Sequence, residues 1–181
     1  FRLAGINQPL WYDEAYTAML VKLPFGDMIT ATINDVHPPT WYVITRAFTS
    51  LLGVTEFTLR LPSLLLGVLA VYLAWRLSKF FLGDTGALVV AGLMAVAPFE
   101  VYYSVEARMY MLLTVGVLTA SVGIVERRWW AAALGVCLTL YSHNMAVIYL
   151  PMLGLLAWSR VGFRKATLWI AAGMLPWLAW R

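Results

Sequence analysis

Two adjacent carboxylates lie near the start of the sequence, in the segment LWYDEAY. Asp13 and Glu14 are flanked there by Trp11, Tyr12 and Tyr16. Neighbouring carboxylates repel each other, and this raises the pKa of one of them, which suits acid–base chemistry. Their oxygens could also bind a cation, and aromatic faces stack on sugar rings. The structural alternative is a helix start, because acidic residues in a first turn complement the helix dipole.

Two histidines stand in segments that favour a polar site. His37 follows Asp35 and precedes Pro38-Pro39, which hold the backbone extended. Such a histidine could contact a phosphate or a metal ion, or the segment could simply be a turn. His143 lies between Ser142 and Asn144 in an otherwise apolar stretch, where polar groups are costly and functional by default. A hydrogen-bonded helix break is the alternative for that cluster.

One arginine begins an apolar run, in the segment Glu106-Ala107-Arg108-Met109-Tyr110. Arginine binds phosphate with paired donors, although at the end of a membrane helix it could simply extend to lipid headgroups. Glu106 is a potential ion-pair partner for Arg108. Nucleotide-binding, HExxH and CxxC patterns are absent from the sequence, so it carries no strong metal motif.

The composition indicates a membrane protein. Of 181 residues, 62% are hydrophobic and 12% are charged, whereas a soluble domain is about 45–50% apolar and about 25% charged. The net charge of +4 is scattered without a basic stripe, which argues against nucleic acid as a partner. The lone Cys137 excludes a disulfide within the chain. The chain starts without Met and ends just after an apolar run, which suggests a fragment of a longer protein.

The distribution of apolar runs predicts an all-α protein in two parts. Residues 1–57 are mixed in character and are interpreted as an extramembrane loop with short amphipathic helices near 13–22 and 39–52. Residues 58–181 are predicted to form a polytopic bundle of about six transmembrane helices. The 31-residue stretch 129–159 is too long for one span of about 20 residues, so we divide it at residues 142–144. Its two legs are short, which suggests a recessed polar cavity at their tip.

Charge predicts the orientation of this bundle, because Lys and Arg favour short cytoplasmic loops. One side of the alternating helices receives mainly basic residues, and the other receives a mixture in which acidic residues predominate. The basic side is therefore assigned to the cytoplasm. The opposite, outer side then collects the polar candidates, namely Asp13, Glu14, Asp35, His37, Glu106, Arg108 and His143.

Five segments, in this order, resemble a known family: LWYDEAYTAML, NDVHPPTWYVI, FTLRLPSLLLGVLAVYLAW, APFEVYYSVEARMYML and LYSHNMAVIYLP. The chain resembles, from about residue 10 to 155, bacterial polyprenyl-phosphate-sugar-dependent glycosyltransferases of the GT-C fold, in the protein O-mannosyltransferase and aminoarabinose-transferase group. The resemblance implies an integral enzyme of the plasma (inner) membrane, whose active site faces outward toward the cell envelope. It transfers a sugar, with inversion, from a polyprenyl-phosphate donor to an extracytoplasmic protein, lipid or glycan.

The resemblance also implies roles for residues. The family's proposed base maps to Asp13, and Glu14 fills the second acidic position as a catalytic, acceptor-site or metal-site neighbour. We predict that substrate or phosphate is bound by His37, Arg108, Tyr16 and Tyr110. Some relatives hold a divalent metal cation near the phosphate, but Val36 stands where a carboxylate would be, so Asp35 or His143 would have to substitute. Two other functions stay open, a transporter or flippase and a non-catalytic membrane subunit.

Overall fold

A computed structural model describes residues 3, 5–33 and 37–180; for Phe163, Ala179 and Trp180 it describes only the backbone. Within these residues every regular element is a helix and no strand occurs. The prediction of an all-α protein is confirmed at this level. The predicted division at residue 57 and the complete polytopic GT-C bundle stay predictions.

Three short helices form the N-terminal part: α1 (Tyr12–Leu20), α2 (Phe25–Ile33) and α3 (Thr40–Leu52). α1 and α3 correspond to the two predicted amphipathic helices, whereas α2 was not predicted. Pro39 takes the N-cap position of α3, as expected for a helix that follows a Pro-Pro pair. Trp41 and Tyr42 of α3 are fully buried, and they pack in one cluster with Met109 and Leu112, which lie at the start of a later helix. The N-terminal helices are therefore anchored on the rest of the chain.

The long helix α4 (Glu56–Val96) is a hairpin of two arms, residues 56–82 and 84–96. Its backbone leaves the helical conformation at Gly83, where φ is 70° and ψ is −173°. A positive φ of this kind favours glycine, which has no Cβ to clash. Side chains from both arms line one groove, including Tyr72 and Trp75 from the first arm and Leu88 and Ala91 from the second. The sequence predicted this break, because it separated the apolar runs 61–75 and 86–99.

The second half of the chain continues with α5 (Pro98–Tyr103), α6 (Tyr110–Val125) and α7 (Trp129–Ser142). A 3-10 helix (Asn144–Tyr149) then leads into α8 (Leu150–Val161) and α9 (Phe163–Trp180). His143 interrupts the helices with an extended conformation, φ −153° and ψ 134°. The stretch 129–159 therefore divides at the polar point where the sequence predicted it.

Glycines bring α6 and α7 into close contact. A Cβ atom built on Gly116 would lie 2.7 Å from the backbone nitrogen of Thr139, and one on Gly135 would lie 2.2 Å from that of Ala120. Real Cβ atoms essentially never come this close. Small residues of this kind let membrane helices approach backbone to backbone. The close packing of α6 on α7 therefore depends on these glycines.

Gly135→Ala is expected to destabilise the protein by about 1–3 kcal/mol, because the added methyl group forces the two helices apart. Gly92→Ala is the matched control, since no atom lies within 4 Å of its added Cβ. Alanine should stabilise that helical position by about 0.5–1 kcal/mol. Thermal unfolding in detergent measures both. Equal melting temperatures for the two variants would contradict the close contact.

Among the described residues, two helical segments are long and apolar enough to cross a membrane, namely Glu56–Val96, which includes both arms of α4, and Asn144–Val161. α6 and α7 are apolar but shorter; at 1.5 Å per residue, α6 is about 24 Å long. Large apolar side chains are exposed on α4, α8 and α9, among them Leu65, Leu88, Leu93, Leu155 and Leu168. Such a surface suits lipid rather than water.

Charged residues gather at two separate ends of the helices. At one end Arg76 forms two hydrogen bonds of 2.5 Å to Glu126, and the guanidinium of Arg160 lies 4.4 Å from the ring centre of Phe80. The other end holds Glu14 with Arg60, and Asp13 with Arg108. The residues that charge counting assigned to opposite sides of the membrane, such as Arg76 and Arg108, thus lie at opposite ends of the helices. Which end faces the cytoplasm stays a prediction.

Candidate active site

A buried three-residue turn centred on Ala107 organises the second of these ends. The amide of Arg108 donates to the carbonyl of Glu106 at 2.8 Å and closes the turn. Side chains of three helices bind the turn's backbone. The amide of Ala107 donates to Glu14 Oε1 at 2.8 Å, and its carbonyl accepts from Thr17 Oγ1 and Trp41 Nε1, each at 3.1 Å. Ser63 of α4 donates to the carbonyl of Glu106.

These bonds satisfy the polar backbone groups of a turn that is removed from water. They also fix the backbone on both sides of Ala107, from which the side chains of Glu106 and Arg108 extend. The turn therefore places two ionisable groups at a site shared by α1, α3 and α4.

Glu14 is the central anchor of this arrangement. Its side chain is 1% exposed. It forms a bidentate ion pair with Arg60, in which Nε donates to Oε1 at 2.8 Å and Nη2 donates to Oε2 at 2.5 Å. Arg60 Nη1 in turn donates to the carbonyls of Ile6 and Gln8, at 2.8 and 2.7 Å. Both oxygens of Glu14 thus have partners. Glu14 thus connects α1 directly to α4 and to the 106–108 turn, and to the N-terminal segment through Arg60. Its role as a catalytic, acceptor-site or metal-site neighbour stays a prediction.

Asp13 has a different environment from its neighbour. Its side chain is 35% exposed, and its Oδ2 lies 4.0 Å from Nη2 of Arg108. Arg108 is almost completely buried, and its Nε has no hydrogen-bond partner within the described structure. The pair is therefore loose, with an accessible carboxylate beside a guanidinium that retains unused donor capacity. The structure brings together two residues that the sequence singled out 95 positions apart.

The two histidines also meet. The ring centres of His37 and His143 lie 5.1 Å apart in an edge-to-face arrangement. His143 Nδ1 accepts a hydrogen bond from the amide of Met145 at 3.1 Å, which leaves Nε2 as the donor of the neutral ring. Burial, then the charge of His37, then that of Arg108 lower the pKa of His143. The histidine pair and Arg108 therefore share one neighbourhood.

The remaining predicted site residues are placed as follows. Tyr16 packs edge-to-face on Tyr42, with ring centres 6.3 Å apart, on the buried side of α1. Tyr110 contacts Tyr103, with ring centres 4.7 Å apart, directly after the 106–108 turn. Asp35 lies outside the described residues. Among the residues that are described, no group of three or more His, Cys, Asp and Glu side chains could hold a metal ion.

The sequence analysis missed one site residue, Arg60, and did not predict the environment of a second, Glu106. Arg60 was counted only as a charge, although an ionisable residue within an apolar helix is a functional signal in its own right. Glu106 was considered as a partner for Arg108, but its Oε2 is buried without a hydrogen-bond partner in the described part of the chain. Burial and then the charge of Glu14 raise the pKa of Glu106 to about 7, while Arg108 opposes the shift.

The raised pKa of Glu106 predicts a pH dependence of stability. Above the ordinary pKa of 4.5, the unfolded chain releases this proton while the folded protein keeps it until about pH 7. The free energy of unfolding therefore falls between about pH 5 and 7.5, by about 2–3 kcal/mol for this group. Glu106→Gln is expected to remove that fall. Thermal unfolding across this pH range measures the effect.

The matched control for this measurement is Glu56→Gln, at an exposed position in the first turn of α4. It should keep the pH profile of the wild type. If Glu106→Gln also kept that profile, Glu106 would not be the group that carries the dependence.

The apolar helices and the ionisable residues at one end of them are features of a membrane protein with a polar site. Comparison with known families gives a more specific result. The family described as dolichyl-phosphate-mannose-protein mannosyltransferase matches residues 36–180, and the chain belongs to this family. The resemblance is thereby confirmed at the level of the family. The matched range includes His37, Arg108 and His143 but begins after Asp13 and Glu14.

A curated relative is the phospho-N-acetylmuramoyl-pentapeptide-transferase of Petrotoga mobilis (strain DSM 10674 / SJ95). It is 39% identical over 108 residues, which are 59% of this chain and 31% of that protein. The chain thus spans about a third of the length of this relative. No solved structure matches the chain.

Proposed function

We propose that this chain is the site-bearing part of a membrane glycosyltransferase, which moves a sugar from a polyprenyl-phosphate donor to an extracytoplasmic acceptor with inversion. The observation that carries the proposal is the pair formed by the half-exposed Asp13 and the buried Arg108. It places a candidate base beside a cation with spare donors. Membership of a mannosyltransferase family supports the reaction class and favours mannose as the sugar.

Asp13 is the proposed general base. Its carboxylate accepts the proton of the acceptor hydroxyl group while the hydroxyl oxygen forms a bond to the anomeric carbon of the sugar. The bond from that carbon to the phosphate oxygen breaks, and polyprenyl phosphate leaves with the electron pair. A single displacement of this kind inverts the anomeric configuration.

Arg108 is the proposed partner of the phosphate. A phosphate leaving group gains charge as the bond breaks, and fixed donors in a site shielded from water stabilise that charge. The unused Nε of Arg108 and the Nε2 donor of His143 are suited to this role, with His37 beside them. The curated relative from Petrotoga mobilis is likewise named as a transferase, of a phospho-N-acetylmuramoyl-pentapeptide group.

Glu14 and Tyr110 support this site. Glu14 holds the 106–108 turn from one side through its bond to the amide of Ala107, and so fixes Arg108 relative to Asp13. Tyr110 follows the turn and lies against Tyr103, where an aromatic surface could contact the donor. We place the whole site at the outer face of the plasma or inner membrane, because the opposite end of the helices carries the basic residues.

The test uses the full-length protein in liposomes with polyprenyl-phosphate mannose labelled in the sugar, and the membrane fraction of the producing cells as the source of acceptor. The expected result is release of polyprenyl phosphate and transfer of the label into material that no longer extracts with lipid. GDP-mannose in place of the lipid donor should give no transfer. Movement of the labelled lipid across the bilayer without cleavage would overturn the proposal and favour a flippase.

A further inference from the structure

A cavity of about 590 Å³ borders the 106–108 turn at Glu106, and neither His37 nor His143 lines it. Glu106, Glu14 and Arg60 line it, together with Trp11, Tyr102 and Val96. Asp13 and Arg108 are not among the residues that line it. The cavity is therefore distinct from the proposed phosphate site, although both are built on the same turn. Its volume is within the range of small-molecule sites.

The charged groups in this cavity differ in what they can offer a ligand. The two carboxylate oxygens of Glu14 already have partners, and all three nitrogens of Arg60 donate to Glu14 or to backbone carbonyls of residues 5–9. Arg60 therefore has little capacity left for a phosphate. Glu106 is the exception, because it is 4% exposed and its Oε2 has no partner in the described structure. Since the terminal torsion of a Glu side chain is broad, this oxygen can turn toward a ligand.

Aromatic side chains complete the lining. Trp11 is 46% exposed and Tyr102 is 57% exposed, and both border the cavity. Indole and phenol faces provide apolar contact at low entropic cost, and a few polar groups then orient the ligand. Among the described residues that line the cavity, an aromatic face combined with one available carboxyl group and no free cation favours a neutral ligand that carries hydroxyl groups. A phosphate or a carboxylate would find no available counter-charge among these described residues.

We propose that this cavity binds a neutral sugar ring, which packs on Trp11 and Tyr102 and hydrogen-bonds through a hydroxyl group to the carboxyl of Glu106. The choice of a sugar rests on the proposed glycosyl transfer, and it adds a second sugar-binding position to that reaction. The neutral form of Glu106 can both donate and accept a hydrogen bond, which matches a hydroxyl group. Burial and the nearby Glu14 favour that form up to about pH 7 by raising the pKa of Glu106.

Binding is tested directly with methyl α-D-mannopyranoside, by saturation-transfer NMR on the full-length protein in nanodiscs. Trp11→Leu and Glu106→Leu are each expected to weaken binding by about tenfold, the loss of one stacking or hydrogen-bonding contact. Glu106→Gln keeps a hydrogen-bonding group and should stay within about threefold of the wild type. The controls are Trp130→Leu, an exposed tryptophan on α7, and Glu56→Gln; both should bind as the wild type does.

Wild-type binding of the probe in both Trp11→Leu and Glu106→Leu, or no saturable binding by the wild type, would overturn the inference. If Glu106→Leu fails to fold, the exposed Trp11 still provides the test. Competition assigns the sugar: displacement of the probe by polyprenyl-phosphate mannose, but not by polyprenyl phosphate, identifies the donor sugar. Retention of the probe identifies an acceptor sugar.

The two proposals fail separately. Asp13→Asn is expected to lose sugar transfer but keep binding of the probe. If the wild type transfers no sugar, yet binds the probe through Trp11 and Glu106, the proposed reaction is wrong and the binding site stands. If the wild type transfers sugar while the cavity variants bind the probe normally, only the binding site is wrong.

Discussion

Asp13→Asn is expected to lower the rate of sugar transfer by about 10²–10⁴-fold, the usual contribution of a general base. Asparagine keeps the size of the side chain but cannot take the proton of the acceptor hydroxyl at neutral pH. The lost contact to Arg108 is a loose one at 4.0 Å, so the fold should be retained. Binding of the lipid donor should change little, because Arg108 and the histidine pair remain. The measurement is label transfer from polyprenyl-phosphate mannose at saturating donor.

The control for this experiment is Asp27→Asn, an exposed position in the first turn of α2 on the same N-terminal segment. It should transfer sugar at the wild-type rate. An Asp13→Asn protein that melts as the wild type does and transfers sugar normally would remove Asp13 as the base. The comparison therefore separates loss of chemistry from loss of structure.

Arg60→Leu is expected to destabilise the protein by about 3–5 kcal/mol, because it leaves the carboxylate of Glu14 buried and without its charged partner. The change also removes the donors to the carbonyls of Ile6 and Gln8. Arg76→Leu is the matched control, because that arginine forms the same kind of bidentate ion pair with Glu126 but its side chain is 29% exposed. Exposed pairs contribute about 0–1 kcal/mol. Thermal unfolding in detergent compares the two variants.

The double variant Glu14→Leu, Arg60→Leu separates the cost of an unpaired buried carboxylate from the loss of the other contacts of these two residues. Replacing both members of a buried ion pair by apolar residues often restores stability. Here the recovery should be incomplete, because the amide of Ala107 and the carbonyls of Ile6 and Gln8 keep no partner. A double variant as stable as the wild type would show that the pair is dispensable and that the turn does not depend on Glu14.

The sequence predicted much of the helical organisation, since local signals determine it. Gly83 and the polar cluster at residues 142–144 interrupt apolar runs, and the structure breaks its helices at these points. α2 was missed because its segment, residues 25–33, is short and was treated as part of a mixed loop. The close approach of α6 and α7 was also missed, because glycines in an apolar run do not reveal which helix they face.

The candidate site was predicted in part. Asp13 and Arg108 are close together, as are His37 and His143, and their assignment to one side by charge anticipates this. The different environments of Asp13 and Glu14 were not anticipated. Successive residues of a helix point about 100° apart, so one carboxylate faces the core and the other the solvent. Glu14 is the carboxylate that faces the core, because it pairs with Arg60, 46 residues later in the chain. The linear sequence does not show that pairing.

The 106–108 turn has a consequence for biosynthesis. Glu14, Thr17 and Trp41 bind Ala107 across 93, 90 and 66 residues of chain. Until the ribosome has made residues 106–108, these buried groups lack the backbone partners that they bind in the folded protein, although Glu14 can already pair with Arg60. The side chains of Glu14, Thr17 and Trp41 therefore lack these hydrogen-bond partners until α4, α5 and the turn that follows them have been synthesised. During that interval a nascent chain is open to proteases and to chaperones, and slow synthesis after residue 60 would prolong it.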